Sequence, residues 1–371
     1  MTETPRITIP SDLLPHDGRF GSGPGRVRSV FVDDLALKAA TFMGTSHRKP
    51  IVRGVVADIQ QGLADMYNLP NGYEIILGLG GATAFWDAAV FGLIETRSAH
   101  FVCGEFSRKF ASSVSQAPHL EEPVIITADH GDAPRPEEVA AVDTAAFIHN
   151  ETSTGVLAPF ARLGDALVIV DGTSAAGAIA FDVNSVDAYY FSPQKALGSE
   201  GGLWIAIVSP FALERIEVVA RSSRWVPPFL SLKKAMNNSR MAQTYNTPAL
   251  ATLYLLARQI EFVNERGGIR WADSTVRATS SRLYSWAASS EYARPFVRDT
   301  DLRSPTVATI DLASSVSASL VTSVLRANGI VDTESYRKLG RNQLRVATFP
   351  NISIEDVQAL TGCIDHVVEQ L

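Results

Sequence analysis

Residues 166–177 read ALVIVDGTSAAG, and residues 187–195 read DAYYFSPQK. Each stretch holds a short apolar run; Asp171 ends the first run, and Lys195 follows the second. Apolar runs that do not alternate with polar residues are typical of strands covered by helices on both faces, as in a parallel sheet. The carboxyl ends of neighbouring parallel strands line one crevice, so we expect both side chains to face the same ligand.

The same pattern continues along most of the chain. Further strands are predicted at 74–77, 100–103, 123–127, 145–149 and 203–208, and helices at 31–44, 50–67, 84–93, 211–219 and 249–265. This alternation predicts an α/β fold with a doubly wound, mostly parallel sheet. Residues 221–245, rich in Trp, Pro, Asn and Ser, are predicted to be irregular.

The length of the chain favours two packed domains, because 371 residues exceed the size at which one core usually keeps growing. Gly267-Gly268 ends a predicted helix. Beyond it, helices are predicted at 270–288, 316–327 and 354–371, and strands at 306–312 and 343–347. We therefore predict an N-terminal arm at 1–30 packing with the small domain, a large domain at 31–266, and a small α+β domain at 267–371.

Composition excludes several classes of function. A net charge of -6 gives no electrostatic reason to expect nucleic acid or an anionic membrane surface as a partner. The first 20 residues lack the order of a signal peptide, and no apolar stretch reaches about 18 residues, so we expect a cytoplasmic location. The two cysteines and seven histidines match no metal-site spacing, and no metal is expected.

The carboxylate and the amine match the needs of pyridoxal 5'-phosphate. The pyridine nitrogen of this cofactor must stay protonated to withdraw electrons, and a buried carboxylate such as Asp171 secures that proton. The aldehyde needs an amine whose pKa can be lowered, which favours Lys195. Taken alone, Asp171 is more commonly a helix cap and Lys195 a solvated surface residue; the functional interpretation is favoured when both occur with a glycine-rich helix start in the same sheet.

Other motifs supply the remaining parts of such a site. Gly80-Gly81-Ala82-Thr83, between a strand and a helix, is typical of an anion-binding helix N-terminus. Phe106 follows the strand at 100–103 and is a candidate to stack on the ring, although a core position is an ordinary alternative. Thr152, after the strand at 145–149, is predicted to reach the O3' oxygen of the cofactor.

A dinucleotide site is the main alternative from the residues themselves. Residues 78–83, GLGGAT, approach the GxGxxG/A pattern after an apolar strand. The acidic residue expected about 20 positions later, at the end of a second strand, does not occur. No GxSxG nucleophile motif is present either.

Taken together, the motifs resemble the phosphoserine aminotransferases, a class V family of fold-type I enzymes. The resemblance runs from residues 20–24 to the final predicted helix. Its motifs are SPQK with the glycine-rich segment after it (192–202), VDGTS (170–174), NET (150–152) and YNTP (245–248).

The resemblance implies a role for each matching position. Lys195 resembles the lysine that binds the cofactor covalently, and Asp171 its pyridinium partner. The other implied cofactor contacts are Gln194, Ala82 and Thr83 at the phosphate, Phe106 on the ring and Thr152 at O3'. Asn246 and Thr247 resemble a pair that reaches the phosphate from the partner subunit, which implies a homodimer with shared active sites.

The resemblance also implies the reaction, in which L-glutamate and 3-phosphohydroxypyruvate give O-phospho-L-serine and 2-oxoglutarate; some family members also act on 4-phosphohydroxythreonine. His47 and Arg48 resemble a pair that binds substrate anions. Arg345 resembles the arginine that clamps the α-carboxylate, a task suited to a bidentate guanidinium. Without the resemblance, Arg48 and Arg345 are equally well interpreted as surface arginines.

The chain departs from the family pattern at three places. Thr83 stands where many members have arginine, and Phe106 where tryptophan is frequent. A His-Arg pair near the clamp arginine is replaced by Tyr336-Arg337-Lys338. The residue that binds the substrate phosphate is therefore open among Arg337, Lys338 and Arg341.

Two other classes of function remain possible on sequence alone. Another class V enzyme, such as a serine–glyoxylate aminotransferase or a cysteine desulfurase, would share the cofactor without the anion-binding arginines. A desulfurase also needs a mobile cysteine, for which Cys363 in the last predicted helix is a poor candidate. A non-enzymatic pyridoxal-binding module would bind the cofactor without turnover.

Overall fold

The computed structural model describes residues 5–371, which form ten α-helices and twelve strands. The helices are α1 (Ser29–Phe42), α2 (Pro50–Tyr67), α3 (Gly81–Gly92), α4 (Glu105–Ser115), α5 (Pro210–Arg221), α6 (Leu232–Ser239), α7 (Leu250–Glu265), α8 (Gly268–Ser289), α9 (Ala318–Ala327) and α10 (Ile354–Gln370). The strands are β1 (Glu74–Leu79), β2 (Ser98–Val102), β3 (Val124–Thr127), β4 (Thr144–Ile148), β5 (Asn150–Glu151), β6 (Val156–Leu157), β7 (Leu167–Asp171), β8 (Ala188–Phe191), β9 (Leu203–Val208), β10 (Ala293–Pro295), β11 (Val307–Leu312) and β12 (Gln343–Ala347).

A seven-stranded sheet forms the centre of the molecule, in the order β1-β9-β8-β7-β4-β2-β3. The strands from β8 to β3 pair in parallel. Among the described strands of this sheet, only β9 runs antiparallel to both of its neighbours, β1 and β8. The prediction of an α/β fold with a mostly parallel sheet is confirmed.

Both faces of this sheet are buried, which explains its apolar strands. On one face, Val168, Val170 and Tyr189 pack with α2 and α7. On the other face, Ile169 and Tyr190 pack with α3 and with the helices α5 and α6. Since successive strand residues point to opposite faces, the adjacent residues Tyr189 and Tyr190 belong to different cores.

A second core surrounds the antiparallel sheet β10-β11-β12. Helices α8, α9 and α10 cover it. The N-terminal segment joins the same core through Ile9 and Phe20. Phe20 N donates to Val331 O at 3.2 Å, and its carbonyl accepts from Ala347 N at 2.9 Å, so this segment runs along the small sheet.

The limits of the predicted domains stay a prediction. Residues 1–4 of the proposed arm lie outside the described residues. Helix α8 begins close to the proposed boundary and contributes Ala272 to the core around α2 and α7, and Val276 and Leu283 to the second core. In the described part of the chain, no helix combines the length and apolar character needed to cross a membrane.

The predicted irregular segment at 221–245 is wrong in one part, because α6 lies within it. Ser231 caps this helix by accepting a hydrogen bond from Lys234 N. Leu232, Ala235 and Met236 are buried on one side. The helix is short and polar in composition, so its stability comes from tertiary packing more than from propensity.

Candidate active site

A cavity of about 450 Å³ lies at the carboxyl ends of the parallel strands β7 and β8. Its walls include the first turn of α3, the start of α4 and the loop after β8. Seven of the predicted cofactor residues line it: Asp171, Lys195, Ala82, Thr83, Phe106, Thr152 and Gln194. The two central strands thus bring the predicted carboxylate and amine into one cavity.

The Lys195 amine is held against the N-terminal segment. Its Nζ donates a hydrogen bond to Ser22 O at 2.8 Å. Burial, together with the nearby Arg345 charge, lowers the pKa of Lys195 to about 8, and the carboxylates of Asp171 and Glu151 partly oppose this shift. Gly23 has φ +148°, and a side-chain carbon there would collide with Lys195 Nζ, so glycine is required at this position.

The Asp171 carboxylate is buried and accepts two hydrogen bonds from the protein. Thr173 N donates to Oδ1 at 2.8 Å, and the Tyr190 hydroxyl donates to Oδ2 at 3.1 Å. Burial raises the pKa of Asp171, whereas these hydrogen bonds act to lower it. A cationic partner in the cavity would further favour the charged form.

The N-terminus of α3 forms one end of the cavity. Gly80 and Gly81 have positive φ angles of 102° and 76°, a conformation that favours glycine. No side chain caps the helix, so the first N–H groups remain available to an anion. Ala82 and Thr83 lie in this first turn, and Gln194 lines the cavity as well.

Phe106 is positioned by a buried carboxylate that the sequence did not reveal. Glu151 Oε2 accepts hydrogen bonds from Phe106 N and Ser107 N, each at 3.1 Å, at the start of α4. Its other oxygen accepts from the Ser153 hydroxyl at 2.6 Å. The Phe106 ring centre lies 5.7 Å from Lys195 Nζ. Glu151 therefore anchors the helix that carries the candidate stacking residue.

Two buried polar atoms at the cavity have no hydrogen-bond partner among the described residues. They are Asn150 Oδ1 and Thr173 Oγ1. Both residues line the cavity beside Thr152. Buried polar atoms are normally hydrogen-bonded, so unpaired atoms at this place are consistent with a polar ligand.

Arg345 lies at the edge of the cavity, on β12 of the small sheet. Its Nη1 donates to Thr152 O at 3.2 Å, and its guanidinium lies 5.3 Å from the Tyr336 ring centre. Burial lowers the pKa of Arg345. Its Nε has no partner in the described structure. Arg345, which belongs to the small sheet, thus contacts Thr152 in the wall of the cavity.

Four other predicted site residues do not line this cavity in a single chain. His47, Arg48, Asn246 and Thr247 form a separate group, in which the Thr247 hydroxyl and His47 Nδ1 lie 3.2 Å apart. Arg48 is exposed.

The three candidates for the substrate phosphate have different surroundings. Arg341 pairs with Asp311 and stacks on Phe296, with its guanidinium 4.4 Å from the ring centre. Lys338 is exposed and pairs with Glu105, the residue before Phe106. Arg337 is exposed on the same loop, and it has no ion-pair partner in the described chain. The loop itself reaches the cavity wall, because the Tyr336 and Phe106 ring centres are 6.1 Å apart.

Several residues at the cavity were missed by the sequence analysis, among them two aromatic residues that form hydrogen bonds. Trp86 lines the cavity from the second turn of α3, and Tyr190 reaches it through Asp171. An apolar strand or helix pattern does not distinguish an aromatic residue that packs from one that also donates a hydrogen bond. Among residues 5–371, no group of three or more potential metal ligands is present.

Comparison with known proteins agrees with this geometry. The family model for aminotransferase class-V matches residues 127–333. A phosphoserine aminotransferase of Rhodococcus jostii (strain RHA1) is 54% identical, with 100% of each chain covered. A putative phosphoserine aminotransferase of Mycobacterium leprae (strain TN) is 53% identical, with 99% of each chain covered.

Solved structures show the same fold. A phosphoserine aminotransferase from Cytophaga hutchinsonii superposes with a TM-score of 0.88 at 22% identity, covering 95% of this chain and 99% of that chain. The phosphoserine aminotransferase from Bacillus circulans subsp. alkalophilus gives a TM-score of 0.82 at 22% identity, covering 95% and 98%. The family match and the full-length relatives confirm the resemblance found in the sequence. The chain belongs to the class V aminotransferases, and within them to the phosphoserine aminotransferase family.

Proposed function

We propose that the protein is a pyridoxal-phosphate-dependent aminotransferase that converts L-glutamate and 3-phosphohydroxypyruvate into 2-oxoglutarate and O-phospho-L-serine. The observation that carries this proposal is the pairing of a lysine of lowered pKa with a buried carboxylate in one cavity. The names of relatives above 50% identity over the whole chain support the choice of substrates.

The residues of the cavity fit the cofactor. The free N–H groups at the start of α3 suit its phosphate, and the Phe106 ring suits the face of its pyridine. The unpaired atoms of Asn150 and Thr173 offer hydrogen bonds to its polar substituents. When bound, pyridoxal phosphate supplies an electron sink for the negative charge that develops at the substrate Cα.

Lys195 has two tasks in this proposal. With the cofactor bound, its amine would hold the aldehyde covalently and, once released by the amino substrate, would move the proton away from the substrate Cα. Because the pKa of Lys195 is lowered to about 8, a useful fraction of the amine is neutral near neutral pH. A general base works best when its pKa lies near the operating pH.

Asp171 holds a proton at the pyridine nitrogen. Its Oδ1 and Oδ2 already accept hydrogen bonds from Thr173 and Tyr190. Both bonds favour the ionised carboxylate, which can then form a charge-assisted hydrogen bond with the protonated ring nitrogen.

Substrate recognition requires cationic side chains in addition to the residues around Asp171 and Lys195. Arg345, whose Nε is unpaired, suits the α-carboxylate shared by the amino acid and the keto acid. Arg337 and Lys338, on the loop next to Phe106, are better candidates for the substrate phosphate than Arg341, which Asp311 already neutralises. The proposed phosphate-binding residues are therefore Arg337 and Lys338, on the 336–338 loop.

We infer a homodimer in which a second copy completes the site. Four predicted site residues do not line the cavity of their own chain: His47, Arg48, Asn246 and Thr247. Large apolar side chains near them are exposed: Leu37 (86%), Met43, Ile51, Met241 and Tyr245. Arg53 Nε donates to Met241 O at 2.9 Å, which joins α2 to the segment before Asn246. An apolar surface around these polar residues is consistent with an interface between copies of the chain.

The test is a comparison of amino donors. We expect transamination of 2-oxoglutarate by O-phospho-L-serine to be far more efficient than by L-serine, measured as kcat/KM, because only the former engages the phosphate cations. A preference for L-serine with glyoxylate would instead indicate a serine–glyoxylate aminotransferase. Binding of the cofactor without turnover of either donor would indicate a binding module.

Cysteine desulfuration has less support. Neither Cys103 nor Cys363 lines the cavity, and both are buried. Burial raises the pKa of both thiols, which disfavours the reactive thiolate. Release of sulfide from L-cysteine at a rate above that of phosphoserine transamination would overturn the proposal.

A further inference from the structure

A chain of three buried side chains runs from α3 to the candidate pyridinium partner. Trp86 Nε1 donates to the Tyr190 hydroxyl oxygen at 2.7 Å. The Tyr190 hydroxyl donates to Asp171 Oδ2 at 3.1 Å. Their exposed fractions are 5%, 0% and 6% respectively. The proposed reaction assigns no role to Trp86 and only an incidental one to Tyr190.

The direction of these hydrogen bonds is fixed by chemistry. An indole N–H can only donate, so the Tyr190 oxygen accepts from Trp86. A neutral tyrosine has one proton, and it is then directed to Asp171. Burial and the nearby Asp171 carboxylate raise the pKa of Tyr190 well above its usual range, so the hydroxyl keeps this proton.

Both oxygens of Asp171 consequently face donors. Oδ1 faces Thr173 N–H, and Oδ2 faces the Tyr190 hydroxyl. A protonated carboxyl would lose one of these bonds or turn its proton elsewhere, whereas the carboxylate accepts both. Hydrogen bonds to the charged form of an acid favour that form. The chain of donors therefore opposes the effect of burial on Asp171.

Helix α3 holds Tyr190 in place by packing as well as by hydrogen bonding. Phe85 stacks on the Tyr190 ring with a centroid distance of 4.3 Å and an interplanar angle of 19°. Trp86, the next residue, stacks on Phe110 at 6.3 Å and 15°. The same helix offers its first turn, with Ala82 and Thr83, to the cavity. One rigid element thus connects the anion-binding end of the cavity to the donor of Asp171.

We propose that Tyr190, oriented by Trp86, is a positioning residue that keeps Asp171 ionised and directed at the pyridine nitrogen of the cofactor. This inference rests on the proposed function, since it needs pyridoxal phosphate in the cavity. Loss of the hydroxyl raises the proton affinity of the Asp171 carboxylate, so that the proton shared between Asp171 and the ring nitrogen moves toward Asp171 and the ring is less often a pyridinium.

The test follows the protonation of the ring nitrogen directly. The holoenzyme is loaded with pyridoxal phosphate labelled with ¹⁵N in the ring, and the nitrogen chemical shift is recorded as a function of pH. In Tyr190→Phe, which keeps the ring packed on Phe85, we expect the nitrogen chemical shift below the midpoint to move toward that of a neutral pyridine, and the midpoint itself to rise, because Asp171 then holds more of the shared proton. We also expect kcat to fall about tenfold or more, while KM for glutamate changes little.

Tyr189→Phe is the matched control. Tyr189 is equally buried on the same strand, but its hydroxyl lies 2.9 Å from His149 Nδ1, on the opposite face of the sheet. Its removal is expected to leave the nitrogen midpoint unchanged. Trp86→Phe provides an independent variant, with a smaller shift in the same direction as Tyr190→Phe, and it carries the test should Tyr190→Phe fail to fold.

Three outcomes separate the possibilities. A midpoint unchanged in both Tyr190→Phe and Trp86→Phe overturns this inference while leaving the proposed function intact. An equal shift in Tyr189→Phe assigns the effect to general loosening of the sheet and also overturns it. A parent protein that takes up no labelled cofactor overturns the proposed function and this inference together.

Discussion

On the floor of the cavity, Asp171 and Lys195 are held by hydrogen bonds from their own chain, whereas at its mouth Arg337 and Lys338 lie exposed on a loop. The floor belongs to the central sheet, which is buried on both faces. The mouth is built from the loop at 336–338 and, in the proposed dimer, from a second copy. The carboxylate and amine of the cavity are therefore held within one chain, whereas the proposed substrate end depends on an exposed loop and on a second copy.

Because the two regions differ, substitutions in each of them are expected to affect different properties of the enzyme. Substitutions on the floor are expected to affect the chemical step and retention of the cofactor. Substitutions at the mouth are expected to affect the choice of substrate, seen in KM, with the bound cofactor unchanged.

Lys195→Ala should have the largest effect, because it removes both the covalent attachment and the proton-transfer group. We expect kcat to fall by about 1,000-fold or more. After borohydride reduction, mass spectrometry should find cofactor on the parent peptide that contains Lys195 and none on the variant. Lys234→Ala, an exposed lysine of α6, serves as the control and should retain both labelling and turnover. Normal labelling of the variant at another lysine would contradict the assignment.

Arg345→Lys should affect substrate binding more than chemistry. The change keeps a positive charge but removes the planar fork that pairs with a carboxylate. We expect KM for glutamate to rise by about 10- to 100-fold, as for loss of a charge-assisted hydrogen bond. The absorption spectrum of the bound cofactor should not change.

Arg341→Lys is the matched control for Arg345→Lys, since Arg341 pairs with Asp311 and does not line the cavity. Its KM for glutamate is expected to equal that of the parent. A rise in KM of the same size in both variants would show that Arg345 has no specific contact with the substrate.

Lys338→Ala tests the mouth alone. We expect KM for O-phospho-L-serine to rise about tenfold through loss of one partner of the phosphate, with the low activity toward L-serine unaltered. Lys109→Ala is a matched control, because Lys109 also approaches Glu105, at 3.7 Å. An equal loss of activity toward O-phospho-L-serine and L-serine would contradict the assignment of Lys338 to the substrate phosphate.

The smallest effect concerns the pH dependence of cofactor uptake. Only the neutral amine attacks an aldehyde, and the pKa of Lys195 is lowered to about 8. The rate of uptake by the apoprotein should therefore rise about tenfold per pH unit below pH 8 and become constant above it. Stopped-flow absorbance measures this profile. A rate that keeps rising to pH 10 would match an ordinary lysine and contradict the lowered pKa.

Arg345→Leu tests how far the charge of Arg345 contributes to the lowered pKa of Lys195. The positive charge of Arg345 is one cause of the lowered pKa of Lys195. Its removal should move the midpoint of the uptake profile upward, by less than a full pH unit since burial remains the larger cause.

Much of the fold follows from local patterns in the sequence. Helix α2 was predicted at its observed limits because the turn signal Leu69-Pro70-Asn71-Gly72 follows it; in the structure Pro50 starts the helix and Asn68, in the left-handed conformation, ends it. The apolar runs gave the central strands to within about two residues. Helix α6 was missed since its stability comes from the buried side of a polar segment, a property that appears only once the sheet is formed.

Of the candidate site, too, only a part could be predicted from the sequence. Asp171 and Lys195 could be predicted together, because strand ends in a parallel sheet converge. The donors around them could not: Trp86 and Tyr190 are 104 positions apart and meet only because α3 packs across β8. Glu151 likewise caps α4 from a distant loop. The ion pairs of Lys338 and Arg341 and the exposure of Arg337 could not be predicted from the sequence either.

The proposed reaction requires a single pyridine ring to lie between the amine of Lys195 and the carboxylate of Asp171. The most direct measurement is a crystal structure of the protein after incubation with pyridoxal phosphate. We predict the cofactor's aldehyde carbon bonded to Lys195 Nζ and its ring nitrogen within hydrogen-bonding distance of the Asp171 carboxylate. A ring bound to another lysine, or a ring nitrogen directed away from Asp171, would contradict the account.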